Sequence, residues 1–272
     1  MTNALEIKNL TKAWPGFKLD NLCLTLPSGC ILGLIGENGA GKSTTIRLIL
    51  DMLKKDSGSV VVLGSETLNK EEIGVVLDEV GIPDCLTPKQ LGKVMSHTYK
   101  TWDMDRYNRL LDKLALPRDR AFKEFSRGMK MKLGITVALS HASRLLILDE
   151  ATSGLDPVVR DEVLSMFEDF TRDEDHSILI SSHIISDLEK LCDYIAFLQN
   201  GKLLLCEEKD RLLEEYGILL CSPEELPAEG VCYKKESRYG VEAIVRRDAM
   251  PAGTKLSPIS IEQLFIFMVK EA

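Results

Sequence analysis

Apolar and polar positions along the chain follow two periods. Leu5 to Ile7 and Leu22 to Leu26 alternate apolar with polar, the pattern of strands with one covered face. Ile31 to Ile35 is nearly continuous in apolar residues, which predicts a strand covered on both faces. A glycine-rich turn follows, then a helix-compatible run from Lys42 to about Leu53. Strand, turn and helix in direct succession make half of a βαβ unit. Thr87-Pro88 pairs a helix N-cap with a first-turn proline and predicts a helix through Tyr99, and Asp103 opens a second to about Leu114. From about 82 to 139 the chain therefore reads as mainly helical. Leu145 to Leu148, Ile178 to Ser181 and Tyr194 to Leu198 are short apolar runs separated by helical segments, one of them opened by Asp156-Pro157 and running to about Phe170.

Asn200-Gly201, between Tyr194 to Leu198 and Lys202 to Leu205, is a hairpin signal that closes the main domain. Beyond it, Lys209 to Tyr216 suits a short helix. Val231 to Tyr233 and Val241 to Val245 alternate, and Ile259 to Lys270 ends the chain in an amphipathic pattern. The expected organisation is an α/β domain over 1–206 with a helical insertion, followed by a small α+β appendage over 207–272.

Composition narrows the functions. The 272 residues carry 34 basic and 42 acidic side chains, a formal net charge of -8, which argues against a nonspecific grip on nucleic acid or anionic lipid. No apolar run approaches the roughly 20 residues that span a bilayer. The first residues lack the basic and apolar segments of a secretory signal, so a cytoplasmic location is expected. Seven cysteines form no C-x-x-C pair and no cluster with histidine at metal spacing, and are expected to be small apolar core residues.

The first chemical motif is GENGAGKST, Gly36 to Thr44, which satisfies G-x-x-x-x-G-K-[ST] directly after a buried strand and before a helix. Gly36, Gly39 and Gly41 let the backbone turn its N–H groups toward phosphate oxygens at the positive end of the helix dipole. Lys42 then reaches the β- and γ-phosphates, and the Ser43 hydroxyl is a ligand for Mg²⁺. The expected phosphate-binding set is Gly36, Asn38, Gly39, Ala40, Gly41, Lys42, Ser43 and Thr44. The second motif is LLILDE, Leu145 to Glu150, a buried strand ending in two acids. Asp149 is placed to hold Mg²⁺, and Glu150 is the candidate general base toward water. A GTPase reading from Asn69 to Glu72 (NKEE) and Asp78 to Gly81 (DEVG) has the two elements in the wrong order; a charged loop and a turn explain both better.

FSRGM at Phe125 to Met129, LLILDEATSGLDP at Leu145 to Pro157 and SSH at Ser181 to His183 together resemble the motif set of ABC ATPases, in its usual order and spacing. The resemblance covers roughly Leu5 to Cys206. It implies a P-loop NTPase of ABC ATPase type with an N-terminal antiparallel β subdomain. FSRGM resembles the family's signature motif, SGLD at Ser153 to Asp156 its D-loop, and His183 its switch histidine. Trp14 lies where the family places an aromatic ring against adenine. By the same resemblance Ser126, Gly128 and Asp156 serve a nucleotide held across a head-to-tail dimer. Two motifs depart from the pattern. Asp78 in IGVVLD stands where the family usually has a Mg²⁺-contacting glutamine, with Glu79 able to take the role after a small loop shift. Arg127 replaces the first glycine of the signature pair, and Met129 replaces its glutamine.

The form FSRGMK resembles a branch serving small exporters of drugs, bacteriocins or peptides. The resulting expectation is an ATP- and Mg²⁺-dependent subunit working as a dimer, homodimeric by preference. It would sit on the inner face of the cell membrane through a separate transmembrane permease and not bind nucleic acid. A soluble ABC ATPase uncoupled from transport, and a nucleotide sensor that barely hydrolyses, are the alternatives. The appendage resembles the closing segment of many such exporter ATPases, with no assigned task.

Overall fold

In the computed structural model, which describes residues 3–238 and 240–271, the chain opens with two long antiparallel strands, β1 (Asn3–Trp14) and β2 (Phe17–Pro27). β3 (Ile31–Ile35) is wholly buried and leads into α1 (Lys42–Ile49). Next come β4 (Ser57–Val62), which returns to pair with β1, and β5 (Ile73–Val76). Three helices form the insertion: α2 (Pro88–Thr98), α3 (Met104–Lys113) and α4 (Arg127–Ala138). Then β6 (Leu145–Asp149), α5 (Pro157–Phe170), β7 (Ser177–Ser181), α6 (Ile185–Leu191) and β8 (Tyr194–Gln199) alternate. β9 (Lys202–Glu208) closes a hairpin on β8, followed by α7 (Lys209–Glu215), β10 (Tyr216–Cys221), β11 (Val231–Ser237), β12 (Gly240–Arg246) and α8 (Ile261–Glu271).

The central sheet has the order β5-β6-β7-β3-β8-β9, parallel except for β9 at one edge. Its continuous apolar runs divide cleanly by parity. Ile31, Ile35, Leu146, Leu148, Ile178 and Ile180 face a core shared with α4, α5, α6 and α8. Leu32, Leu34, Leu145, Ile147 and Leu179 face the opposite core, against α1 and the β2-β1-β4 sheet. Each such side chain contributes about 1.5–3 kcal/mol of burial, which requires cover on both faces and fixes register.

The hairpin at Asn200-Gly201 has positive φ at both residues, 48° and 76°, as a tight two-residue turn demands. Its tip also clamps distant segments. The Gly201 carbonyl accepts from Asp20 N–H at 2.8 Å and its N–H donates to the Ala40 carbonyl at 2.9 Å, so the phosphate loop rests on the hairpin. A Cβ at Gly201 would lie 1.8 Å from the Lys18 carbonyl oxygen.

Three expectations change. Helix α1 ends at Ile49 rather than near Leu53, because Asp51 adopts φ 54° and Met52 N–H turns back to the Arg47 carbonyl at 2.9 Å, a left-handed helix stop. β4 and β10 were not foreseen: their sequences, SGSVVV and YGILLC, lack clear alternation, and pairing with β1 and β12 decides them. Of the seven cysteines only Cys192 is buried, against Gly33 where any Cβ would meet its sulfur at 2.8 Å; Cys23 and Cys85 are exposed.

The segment after β9 carries its own antiparallel sheet, β10-β12-β11, while α8 reaches back to the central sheet. Phe265 meets Phe197 edge-on at 5.3 Å, and Glu189 of α6 accepts the Ile261 N–H at 3.3 Å.

Candidate functional site

Strands β3, β6 and β7 all end on one side of the sheet, and the loops leaving them build a cleft of about 640 Å³. This is where ligands bind in open parallel sheets. The phosphate loop forms its floor. Gly36 has no space for a side chain, since a Cβ would lie 2.5 Å from the Leu198 carbonyl oxygen; Gly39 and Gly41 hold φ of 84° and 112°. Lys42 is only 6% exposed, and its ammonium donates to the Gly36 carbonyl at 2.7 Å. Thr45 ties the loop to the helix by donating to the Gly41 carbonyl at 2.9 Å. Asn38, Gly39, Gly41, Lys42, Ser43 and Thr44 line the cleft, as does Glu37. Ala40 does not: its methyl is buried in the core and its N–H is turned to the Glu37 carbonyl at 3.1 Å. Gly36 is likewise a structural residue beneath the floor.

At one wall, the β1-β2 hairpin presents Trp14 and Phe17 with ring centroids 5.3 Å apart. Trp14 is 40% exposed, so it is a surface ring at the cleft and not a core tryptophan. Phe17 was missed in the sequence, where a lone aromatic after Pro15-Gly16 carries no motif.

The acids occupy the back. Asp149 ends β6 at 3% exposure and accepts a 2.5 Å hydrogen bond from the Ser181 hydroxyl. The backbone then enters the left-handed region at Glu150, φ 55°, with the Glu150 N–H donating to the Ser181 carbonyl at 3.0 Å. A non-glycine residue here costs on the order of 1–3 kcal/mol, and such strain clusters at working sites. One Glu150 oxygen lies 3.9 Å from the Lys42 ammonium, while the other meets His183 Nδ1 at 2.5 Å and the His183 N–H at 3.3 Å. Facing a carboxylate, Nδ1 carries the ring proton. Ser153 and His183 complete this side.

Asp78 lies just beyond β5 and lines the cleft mouth, where its carboxylate is engaged by Arg127 at 2.6 Å; Glu79 lies behind it in a neighbouring groove. Ser126, Gly128 and Asp156 do not line the cleft. Ser126 caps α4 by accepting from Met129 N–H at 3.3 Å, and Asp156 caps α5 by accepting from Val159 N–H at 3.1 Å. Gly128 packs where a Cβ would stand 3.0 Å from the Gly154 carbonyl oxygen. The decoy Asn69 is a structural cap accepting from Glu71 N–H.

Among the described residues no cluster of three or more His, Cys, Asp or Glu side chains could hold a metal alone. The Ser43 hydroxyl and the Asp149 carboxylate are instead hard oxygen donors. Such a pair suits Mg²⁺ when phosphates and water supply its remaining ligands.

A phosphate loop between a parallel strand and a helix, facing an acidic strand end, defines a P-loop nucleoside-triphosphate-binding protein. The family model described as ABC transporter matches residues 19–153. The chain is 34% identical over 217 residues to the ABC transporter ATP-binding protein YtrB of Bacillus subtilis (strain 168), covering 78% of this chain and 74% of that one. It is 37% identical over 211 residues to the lantibiotic transport ATP-binding protein SrtF of Streptococcus pyogenes, covering 76% and 91%. A solved dimeric ATP-binding cassette in a post-hydrolysis state, bound to ADP and Pi, shares the fold at a TM-score of 0.67 and 19% identity, over 75% of this chain and 98% of that one. This chain belongs to the ABC transporter family, as one of its ATP-binding and ATP-hydrolysing subunits.

Proposed function

We propose that this subunit hydrolyses ATP in the cleft between the phosphate loop and Glu150, in a head-to-tail dimer that drives a separate transmembrane permease. The observation that carries the chemistry is the Lys42, Glu150 and His183 constellation, with contacts of 3.9 and 2.5 Å to the two carboxylate oxygens. Trp14, with Phe17 beside it, offers adenine a ring face. Lys42 and the backbone N–H groups of Gly39, Gly41, Ser43 and Thr44 hold the triphosphate; Asn38 lines the same turn. Ser43 and Asp149 would hold Mg²⁺, which would neutralise charge on the β- and γ-phosphates. Glu150 accepts the proton of the attacking water, and the His183 N–H fixes the carboxylate that does so. Ser181 keeps Asp149 oriented.

The exposed Ser126 and Asp156 and the half-buried Gly128, none of them lining their own cleft, suit contact with the nucleotide of a second copy. Closure by a ligand bound between copies favours one conformation over another, as energy coupling requires. Among the described residues no helix is long and apolar enough to cross a membrane, and a separate permease chain is the proposed source of the pathway. Export of a peptide or drug is the favoured task, supported by the likeness to a lantibiotic transport protein and by the FSRGMK form. The subunit would then sit peripherally on the cytoplasmic face. The 207–272 segment is proposed as an accessory unit to the 1–206 ATPase.

Replacing the base tests this directly. Glu150→Gln should lower ATP turnover by ~10²–10⁴ while leaving nucleotide binding intact. A loss smaller than tenfold in a steady-state phosphate-release assay would remove Glu150 from the role of base.

A further inference from the structure

Asp78 and Arg127 are two of the places where the sequence departs from the family pattern, Met129 being a third; one lies just beyond β5 and the other at the start of α4. They are 49 positions apart, yet Arg127 Nη2 lies 2.6 Å from Asp78 Oδ1 at the mouth of the cleft. Two departures that bring opposite charges together point to one function shared between them.

The surroundings explain how the pair is built. Arg127 is the first residue of α4, where the positive end of the helix dipole disfavours a cation. The first turn of α4 contains no acidic residue of its own. Asp78 supplies the missing negative charge from a different element. The Arg127 stem lies across Gly154, where a Cβ would stand in ordinary contact with its Cδ at 3.4 Å, and its guanidinium extends from there to Asp78. Both partners line the same cleft as Lys42 and Glu150. A bare carboxylate at that position would repel a triphosphate.

We propose that Arg127 is a positioning residue that neutralises Asp78 and holds it at the cleft mouth, so that the pair takes the place of an uncharged residue beside the nucleotide. Asp78 is therefore committed to Arg127 and is not a metal ligand. The pair is exposed and contributes little to folding stability; its effect falls on the charge that ATP meets. This rests on the cleft being the ATP site.

The test is ATP affinity by calorimetry on the purified full chain, in EDTA so that metal coordination plays no part. Arg127→Gly should raise the dissociation constant about three- to tenfold, the scale of one unit charge a few ångströms away in water-like surroundings. Arg127→Lys should stay near wild type. The double variant Arg127→Gly with Asp78→Gln should recover wild-type affinity, and the Arg127→Gly loss should shrink as salt rises. Affinity unchanged in Arg127→Gly, or a double variant as weak as the single one, overturns the proposal; the second result would make Arg127 a direct phosphate contact. Lys42→Ala separates the two levels: if it binds ATP like wild type, the cleft assignment fails, whereas its loss of binding beside an unaffected Arg127→Gly defeats the ion pair alone. Thermal melting of each variant identifies any that is misfolded, and Arg127→Lys then carries the comparison against Asp78→Gln.

Discussion

His141 shows how a single side chain outside the cleft sets a pH limit. Its ring is buried, stacks on Tyr99 at 4.1 Å and 9°, and uses Nδ1 to donate to the Glu71 carbonyl at 3.0 Å, leaving Nε2 buried without a partner. Burial holds the imidazole below its ordinary value of 6.5. The unfolded chain therefore takes up a proton first as the pH falls, so this contribution to stability is complete above about pH 6.5 and is lost on acidification below it. Denaturant melts between pH 7 and 5.5 should show that decline, by up to about 1.4 kcal/mol per pH unit, and His141→Phe should flatten it. At this scale the phosphate loop, Asp149, Glu150 and His183 were legible because each chemistry is tied to residue type and local spacing. Phe17 and the Ser181 bond to Asp149 were not, since Phe17 reaches the cleft through the folding of the β1-β2 hairpin and Ser181 meets Asp149 through the register of β6 with β7. Ala40 sits inside the motif yet faces the core, a matter of peptide orientation that a motif does not encode.

Among the elements, the β8-β9 hairpin reaches furthest. Its Asn200-Gly201 signal was plain, but its role as a clamp on Ala40 and Asp20 depends on how two sheets meet. Gly201→Ala must relieve both a positive φ and a collision with the Lys18 backbone. It should cost about 2 kcal/mol or more, seen as a lower denaturation midpoint, and weaken ATP binding through the displaced loop. A variant as stable as wild type would show that the clamp yields freely. Helices α2, α3 and α5 were readable from their caps: Thr87, Asp103 and Asp156 each accept an N–H in the first turn. β4 and β10 were not, because their alternation is weak and strand pairing supplies the stabilisation.

For the whole molecule, the proposed division of one active site between two copies has a direct test. Lys42→Ala damages the phosphate loop of its own cleft, and Ser126→Arg blocks the surface offered to the partner. Either alone should be inactive, while an equal mixture should recover about a quarter of wild-type turnover, since half the dimers carry one intact site. No recovery in the phosphate-release assay would confine each site to one chain. The acidic balance of the sequence excluded a broad basic surface, and its motifs determined a nucleotide-binding α/β fold, because glycine conformation, helix capping and two-sided apolar strands are local physical requirements. Which side chains meet across the cleft is a different kind of fact. The pairing of Asp78 with Arg127, the seat of the phosphate loop on Gly201 and the outward turn of Ser126 come from packing between distant elements, so only the tertiary structure decided them.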